Sequence, residues 1–477
     1  MSLDWVGSDN ASIDYSALRA LVVEDYPGMR NALRLTLSNF GITKVQLVSN
    51  ASEAIYHVRQ KSYDFILCDF NLGGGRDGQQ LLEELRHSNL ISIETVFIMV
   101  TAERVYEKVV SAVELAPDDY LIKPFSGEVL RSRLERIMAK KLAFAAIYNL
   151  LENGKLAEAT QLCKELTKHQ NKYTIDILRL LAELYVTQGK FDEAQDIYQQ
   201  VVALRAVPWA RMGLATMFHY KNRHHEAEEL LEEVIDEAPE YMAAYDLLSK
   251  VCESQEKNER AQQVLERAVA ASPLIAHRQK EMGQLAMRNG DMEAAEKAFE
   301  NVVERGKTSF FRSAEDYANL SRVQMERGKT KEALSTLRDV RTSFNGSPEA
   351  EFTASVMESL IHKKAGDDAA SAKALEAALT LQKTNQIAAD ENLSLDLAKS
   401  CFAHGKDEEA KGLIENLVRN NHDSVALIQK AKQIFEEAGK GAEGNAIVDG
   451  SVKEIIQLNN QGGVRAKEGE VDGSVQL

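Results

Sequence analysis

From residue 159 onward an alanine returns at a nearly constant interval. The positions are Ala159, Ala194, Ala227, Ala261, Ala295, Ala333 and Ala410, with Ser371 standing where one more is due. Intervals up to Ala295 stay close to one length, and those beyond it are longer. That length fits one helix–turn–helix unit, which typically takes roughly 34 residues. This stretch is therefore expected to stack helical hairpins into an all-α solenoid. Small residues at such positions let the two helices of a hairpin approach, while larger neighbours fill the groove. The unit around Ala194 reads most clearly, with Leu181, Ala182, Tyr185, Gly189 and Tyr198 about it. Gly189 is placed to end a first helix. Pro239 and Pro273, each the same distance past its alanine, are placed to stop a second. Alanine and aromatic spacing of this kind is packing, so it locates a core and not a binding site.

Before Ile122 the pattern is different. Short apolar runs at Ala20–Glu24, Lys44–Val48, Phe65–Asp69, Thr95–Val100 and Asp119–Ile122 alternate with helical segments. Those segments fall at Gly28–Asn39, Ala51–Gln60, Gly78–His87 and Arg104–Leu115, with a fifth from Ser126. Such alternation predicts an α/β fold, a doubly wound parallel sheet of five strands with helices on both faces. The expected divisions are 17–138 for this domain, 139–440 for the helical repeats, and 441–477 for a short helix and a disordered tail. No proline or glycine interrupts the chain between Gly127 and Glu152, so the last helix of the sheet domain is expected to run into, or pack on, the first repeat. A stiff connection of that kind transmits a change better than a loose linker.

In a sheet of this type functional groups collect at the carboxyl ends of the strands. Strand one ends in Glu24-Asp25, strand three in Asp69, strand four in Thr101, and strand five leads to Lys123-Pro124. Carboxylates gathered at one place repel unless a cation sits among them, and hard oxygen ligands suit Mg²⁺. A lysine and a hydroxyl opposite can receive the oxygens of a transferred phosphoryl group, and carboxylates do act as nucleophiles toward phosphorus. Taken singly, Glu24 and Asp25 read equally as solvated loop acids, Asp69 as a turn cap, Thr101 as a helix cap and Lys123 as a surface lysine. Their joint placement favours the acceptor site.

This set, in this order, resembles the flavodoxin-like receiver domain of two-component response regulators. The resemblance implies that Asp69 accepts a phosphoryl group from a histidine kinase or phosphotransfer protein. It implies that Glu24, Asp25, Asp69 and the backbone carbonyl of Asn71 hold Mg²⁺, and that Thr101 and Lys123 bind the phosphoryl oxygens. Tyr120 is implied as the aromatic that turns inward when Thr101 moves, Asn71 and Glu103 as residues that set the lifetime of the phosphoryl aspartate, and Lys123-Pro124 as a cis bond. Two features depart from the family. Gly78 lies one position farther from the acceptor than is usual, and Gly73-Gly74-Gly75 replace a proline-containing turn, so a more mobile loop is expected. The later spacing is similar to that of tetratricopeptide repeats, most closely around Ala194, Ala227, Ala261 and Ala295. It decays most between Asn345 and Thr380, where longer helices or loops are expected.

Charge and composition remove several classes of function. Net charge is −16, and residues 1–140 carry 15 basic and 19 acidic side chains against 42 and 54 in the remainder. Both parts are acidic, which disfavours nucleic-acid binding. The cysteines, Cys68, Cys163, Cys252 and Cys401, lack any paired spacing, so neither a disulfide framework nor a zinc site is expected. Tyr220, His224 and His225 lie together but have no further ligand at metal spacing. Without a basic, apolar leader or a run of ~20 apolar residues, a cytoplasmic protein away from the membrane is expected. No DNA-reading helix, nucleotide loop or catalytic set appears, so the chain reads as a non-enzyme whose only chemistry is its own phosphotransfer and autodephosphorylation.

The resulting expectation is a response regulator whose repeats bind a protein or peptide. Phosphorylation would act through the fourth strand, the helix after it and the fifth strand, changing repeat docking or homodimerisation. An alternative is a phosphate sink that competes with a sister regulator for a kinase. A third is a repeat scaffold that does not depend on phosphorylation.

Overall fold

The computed structural model describes residues 14–102, 117–168, 171–205, 207–422 and 424–465. The expected helix Arg104–Leu115 and the tuning residue Glu103 lie outside them. The chain divides into two compact units, residues 1–291 with 304–311 and residues 292–303 with 312–477.

The first unit begins with a five-stranded parallel sheet. Its strands are β1 Arg19–Val23, β2 Lys44–Val48, β3 Phe65–Asp69, β4 Val96–Thr101 and β5 Asp119–Ile122, ordered β2-β1-β3-β4-β5. β3 and β4 are buried at every position. That is why their sequences are unbroken apolar runs with no alternation: helices cover both faces. Leu21, Ile66, Phe97 and Met99 fill one face, and Val22, Leu67, Ile98 and Val100 the other.

Three helices return the chain between strands, α1 Pro27–Asn39, α2 Ala51–Val58 and α3 Gly78–His87. α1 starts on a proline, whose missing N–H costs nothing there. α3 starts with a reciprocal capping box between Asp77 and Gln80.

A fourth described helix, α4, runs without a break from Gly127 to Glu152. Ser126 caps it through Val129 N–H at 3.3 Å. Leu130, Leu134 and Ile137 pack into the sheet domain, whereas Phe144 and Ile147 belong to the core of the repeats. One helix therefore serves both cores, and no linker intervenes.

Helical hairpins follow. Every marker alanine, and Ser371, has no exposed surface. At that position only a small side chain lets the paired helix come close. Gly189 takes φ +69° where the hairpin turns. Helices end at Glu237 and Ala271, just ahead of the two prolines. After the markers Ala227 and Ala261 the next helices start at Met242 and Ala276, at equal distances along the chain. After Ala295 the next helix starts later, at Ala314. The first lengthened period thus places its added residues between those two helices.

In the second unit the decayed region holds two long helices, Pro348–Lys364 and Asp368–Asn385. The Ser371 hydroxyl is satisfied there, donating to the Ser359 carbonyl at 2.7 Å and lying 2.7 Å from His404 Nε2. Ser359 in turn meets Ser400 at 2.5 Å. A serine thus replaces the alanine without an orphaned polar group. A last helix spans Gly441–Arg465 and puts Val448 into the same core as Phe435.

Candidate functional site

The sheet's carboxyl edge gathers the predicted acids. Glu24, Asp25 and Asp69 each present a carboxylate oxygen, all within 4.8 Å of one another. Glu24 and Asp69 are 2% and 8% exposed, while Asp25 faces solvent. The turn after β1 is pinned by Arg30, whose guanidinium donates to the carbonyls of Glu24 and of Asp25, the latter at 2.9 Å.

Lys123 reaches in from the end of β5. Its ammonium donates to Glu24 Oε2 at 2.7 Å and to Asp69 Oδ2 at 3.0 Å. The backbone before it is fixed by Lys123 N–H to the Thr101 carbonyl at 2.6 Å, and Lys123-Pro124 is cis. Burial disfavours charge on Lys123, but its bonds to Glu24 and Asp69 hold the ammonium pKa above the ordinary lysine value. Burial pushes the Glu24 carboxyl up; Lys123 pulls against this and the Asp69 charge adds to it. Cys68, fully buried one residue before Asp69, is pushed far up by burial and by the neighbouring carboxylates, and stays a neutral thiol.

Thr101 is fully buried at the end of β4, Tyr120 is half-buried against the core, and Asn71 is exposed in the loop after Asp69. The glycines that follow the acceptor divide in role. Gly73 and Gly75 take φ of +74° and +106°, conformations that L side chains rarely adopt. Gly78 is required for space: a Cβ there would lie 2.3 Å from the Asp69 carbonyl oxygen. Its N–H donates to the Phe70 carbonyl at 2.8 Å, so the first residue of α3 is bound to the acceptor strand. Gly78→Ala is expected to lower stability by ~1–3 kcal/mol through that overlap, read as a lower urea midpoint at unchanged slope.

α3 holds what the sequence reading missed. Within the first unit it meets the repeat segment 304–311. Gln80 Nε2 donates to the Arg305 carbonyl at 3.2 Å, Thr308 Oγ1 donates to Gln80 Oε1 at 3.2 Å, and Arg305 lies 3.4 Å from Asp77. His87 and Phe311 pack edge to face with centroids 4.7 Å apart, and Leu274 packs against the core beneath α3. One signal in the sequence bears on this, the lengthened interval after Ala295 that supplies the segment; the polar Gln79, Gln80, Glu83 and Glu84 of α3 point the other way, to a solvated face.

Glu83 records that covering. Burial, with the Asp77 charge adding and Arg305 opposing, raises its carboxyl to about 7. Arg76 is engaged by Glu84 at 2.9 Å. A raised carboxyl favours the packed state when protonated. Its contribution is complete below about 4.5, its ordinary value, and is lost as pH rises through about 7. The change in unfolding free energy between pH 5 and pH 8 should therefore be smaller in Glu83→Gln than in wild type, measured by urea titration.

His219 and His224 approach to 3.3 Å, but the three acids above are the sole metal-compatible group among the described residues. No helix among those residues is long and apolar enough to cross a membrane.

A doubly wound sheet with acids and a lysine at its strand ends, followed by stacked hairpins, defines a response-regulator receiver joined to tetratricopeptide repeats. Residues 20–135 match the response regulator receiver domain, and residues 150–214, 253–309 and 280–348 match tetratricopeptide repeat models. Among relatives, the chemotaxis protein CheY of Pseudomonas aeruginosa is 27% identical over 123 residues, 26% of this chain and 98% of its own length. CheY-3 of Vibrio cholerae is 26% identical over 123 residues, 26% of this chain and 93% of its own. Among solved structures, the C-terminal part of a TPR repeat-containing protein from Cytophaga hutchinsonii aligns at 17% identity with a TM-score of 0.42, covering 50% of this chain and 96% of that one. YrrB, described as a TPR protein with an unusual peptide-binding site, aligns at 15% identity and a TM-score of 0.33, covering 39% and 92%. The chain is thus built from a signalling module and protein-interaction modules.

Proposed function

We propose that Asp69 accepts a phosphoryl group from a histidine kinase or phosphotransfer protein, and that the repeats carry the response to a protein or peptide partner. The observation that carries this reading is Lys123 held between Asp69 and Glu24 beside Asp25. In the transfer, an Asp69 carboxylate oxygen attacks phosphorus as the bond from phosphorus to the donor's imidazole nitrogen breaks. The imidazole keeps that electron pair and takes a proton from solvent. Lys123 is placed to leave Glu24 and meet the arriving phosphoryl oxygens, and the Thr101 hydroxyl supplies a second donor. The all-oxygen donor set of Glu24, Asp25, Asp69 and the Asn71 carbonyl fits Mg²⁺. When bound, the ion offsets charge on the phosphoryl oxygens.

The test is to incubate the full chain with labelled acetyl phosphate and Mg²⁺. A hydroxylamine-labile label on the peptide containing Asp69 is expected. Label elsewhere, or none from acetyl phosphate and histidine donors alike, overturns the reading. The exposed Asn71 beside the acceptor favours ready access of water and a short-lived phosphoryl aspartate. That supports a second reading, a sink that drains a kinase shared with a sister regulator. Adding Asp69→Ala in place of wild type to the kinase and its regulator should then raise phosphorylation of the regulator; equal levels count against the sink.

A further inference from the structure

The face expected from sequence to carry the signal is the fourth strand, the helix after it and the fifth strand. The described contacts to segment 304–311 run instead through α3. We propose that α3 is the face through which the repeats sense Asp69, and that phosphorylation there loosens its contact with residues 305–311. This rests on the reading of Asp69 as the acceptor.

Three observations carry it. The first is continuity. Gly78 has no space between its backbone and the Asp69 carbonyl and is bonded to Phe70, so displacement of the acceptor strand's end moves the first turn of α3. The next residues in contact already belong to the repeats, because Asp77 and Gln80 serve both as the cap of α3 and as partners of Arg305 and Thr308. The second is the loop Gly73-Gly74-Gly75. No atom lies within 4 Å of a Cβ built at Gly74 or Gly75, whereas one at Gly73 would lie 3.3 Å from Asp25 Oδ2, so the tip of this loop is open while its start sits against the acid cluster.

The third is charge. Asp77 lies 3.4 Å from the Arg305 guanidinium, Glu83 is near enough to feel both charges, and Arg76 is occupied by Glu84. A contact that already sets two acids against one arginine is poorly suited to more negative charge. Phosphorylation changes the charge at Asp69 from about −1 to about −2 before any bound cation is counted. The Arg305 and Asp77 side chains are only partly exposed, at 24% and 19%, so water screens this contact incompletely.

A disulfide trap tests the proposal in the full chain. The four native cysteines are buried, so the pair His87→Cys and Phe311→Cys supplies the thiols open to mild oxidation. The resting chain should cross-link within itself, seen as a reducible mobility shift. Beryllofluoride with Mg²⁺, a mimic of the aspartyl phosphate, should slow this several-fold, and should not do so when Asp69→Ala is added. An unchanged rate with beryllofluoride shown bound by fluorine NMR overturns the proposal and leaves the acceptor reading intact. Failure of both beryllofluoride and acetyl phosphate to react at Asp69 instead overturns the acceptor reading. Absence of any cross-link in the resting chain also counts against the docked α3. Should the cysteine pair fold poorly, hydrogen exchange on wild type decides: beryllofluoride should quicken exchange in both 78–87 and 304–311, and no change in either overturns the proposal.

Discussion

In the Asp69→Ala chain, phosphoryl uptake from acetyl phosphate is expected to fall to background. Neither neighbouring acid is placed to substitute. Glu24 is buried and held by Lys123, and Asp25 lies exposed at the rim. The stability of this variant should change by only about 1 kcal/mol. Lys123 loses one partner but keeps Glu24, so no buried charge is left alone, and removing one of three crowded carboxylates relieves repulsion. Thermal unfolding followed beside the labelling assay separates lost chemistry from lost fold. A large fall in melting temperature would mean that Asp69 is chiefly structural.

Lys123→Met has the opposite profile. Glu24 and Asp69 are then two buried carboxylates without their cation, and breaking such a group typically costs about 3 kcal/mol or more. The deficit depends on pH in a definite direction. Burial already raises Glu24, and loss of Lys123 raises it further. The variant is therefore least destabilised below the ordinary carboxylate range, and the gap from wild type widens as pH rises through the raised Glu24 value. Millimolar Mg²⁺ should recover part of the loss, because a ligand held only by the folded chain stabilises it. Urea titrations of both proteins at pH 5 and pH 8, with and without Mg²⁺, check each arm. Equal deficits at the two pH values would refute the electrostatic account. Phosphoryl uptake should also fall steeply, since the cation expected to meet the incoming oxygens is gone.

Much of the sheet domain was legible because its causes are local. Unbroken apolar runs such as Phe65–Leu67 and Val96–Val100 mark strands buried on both faces, and the residues that end them fall at one edge by topology. The strand ends differed by a residue at β1 and β4, where the ladder begins at Arg19 and extends to Thr101. The marker alanines were legible for a similar reason, since a close helix crossing admits only small side chains. The docking of α3 was not. Gln79, Gln80, Glu83 and Glu84 are polar enough to suit a solvated helix face, and the partners of Gln80 lie far along the chain, in the repeats. No periodicity carries a contact of that separation. The lengthened interval after Ala295 held the clue, but only the fold shows where the added residues go.

The shared helix Gly127–Glu152 also sets a rule for how this protein can vary in length. Each residue added to an α-helix advances its far end by ~1.5 Å and turns it by ~100°. One extra residue between Ile137 and Phe144 would swing the repeats around the helix axis and pull Arg305 away from α3. Four would bring the angle back to within ~40° at a cost of ~6 Å in reach. The joint behaves as a screw thread rather than a tether. Functional variants of this segment should differ by whole turns, and intermediate lengths should uncouple the repeats from Asp69 while leaving each part folded.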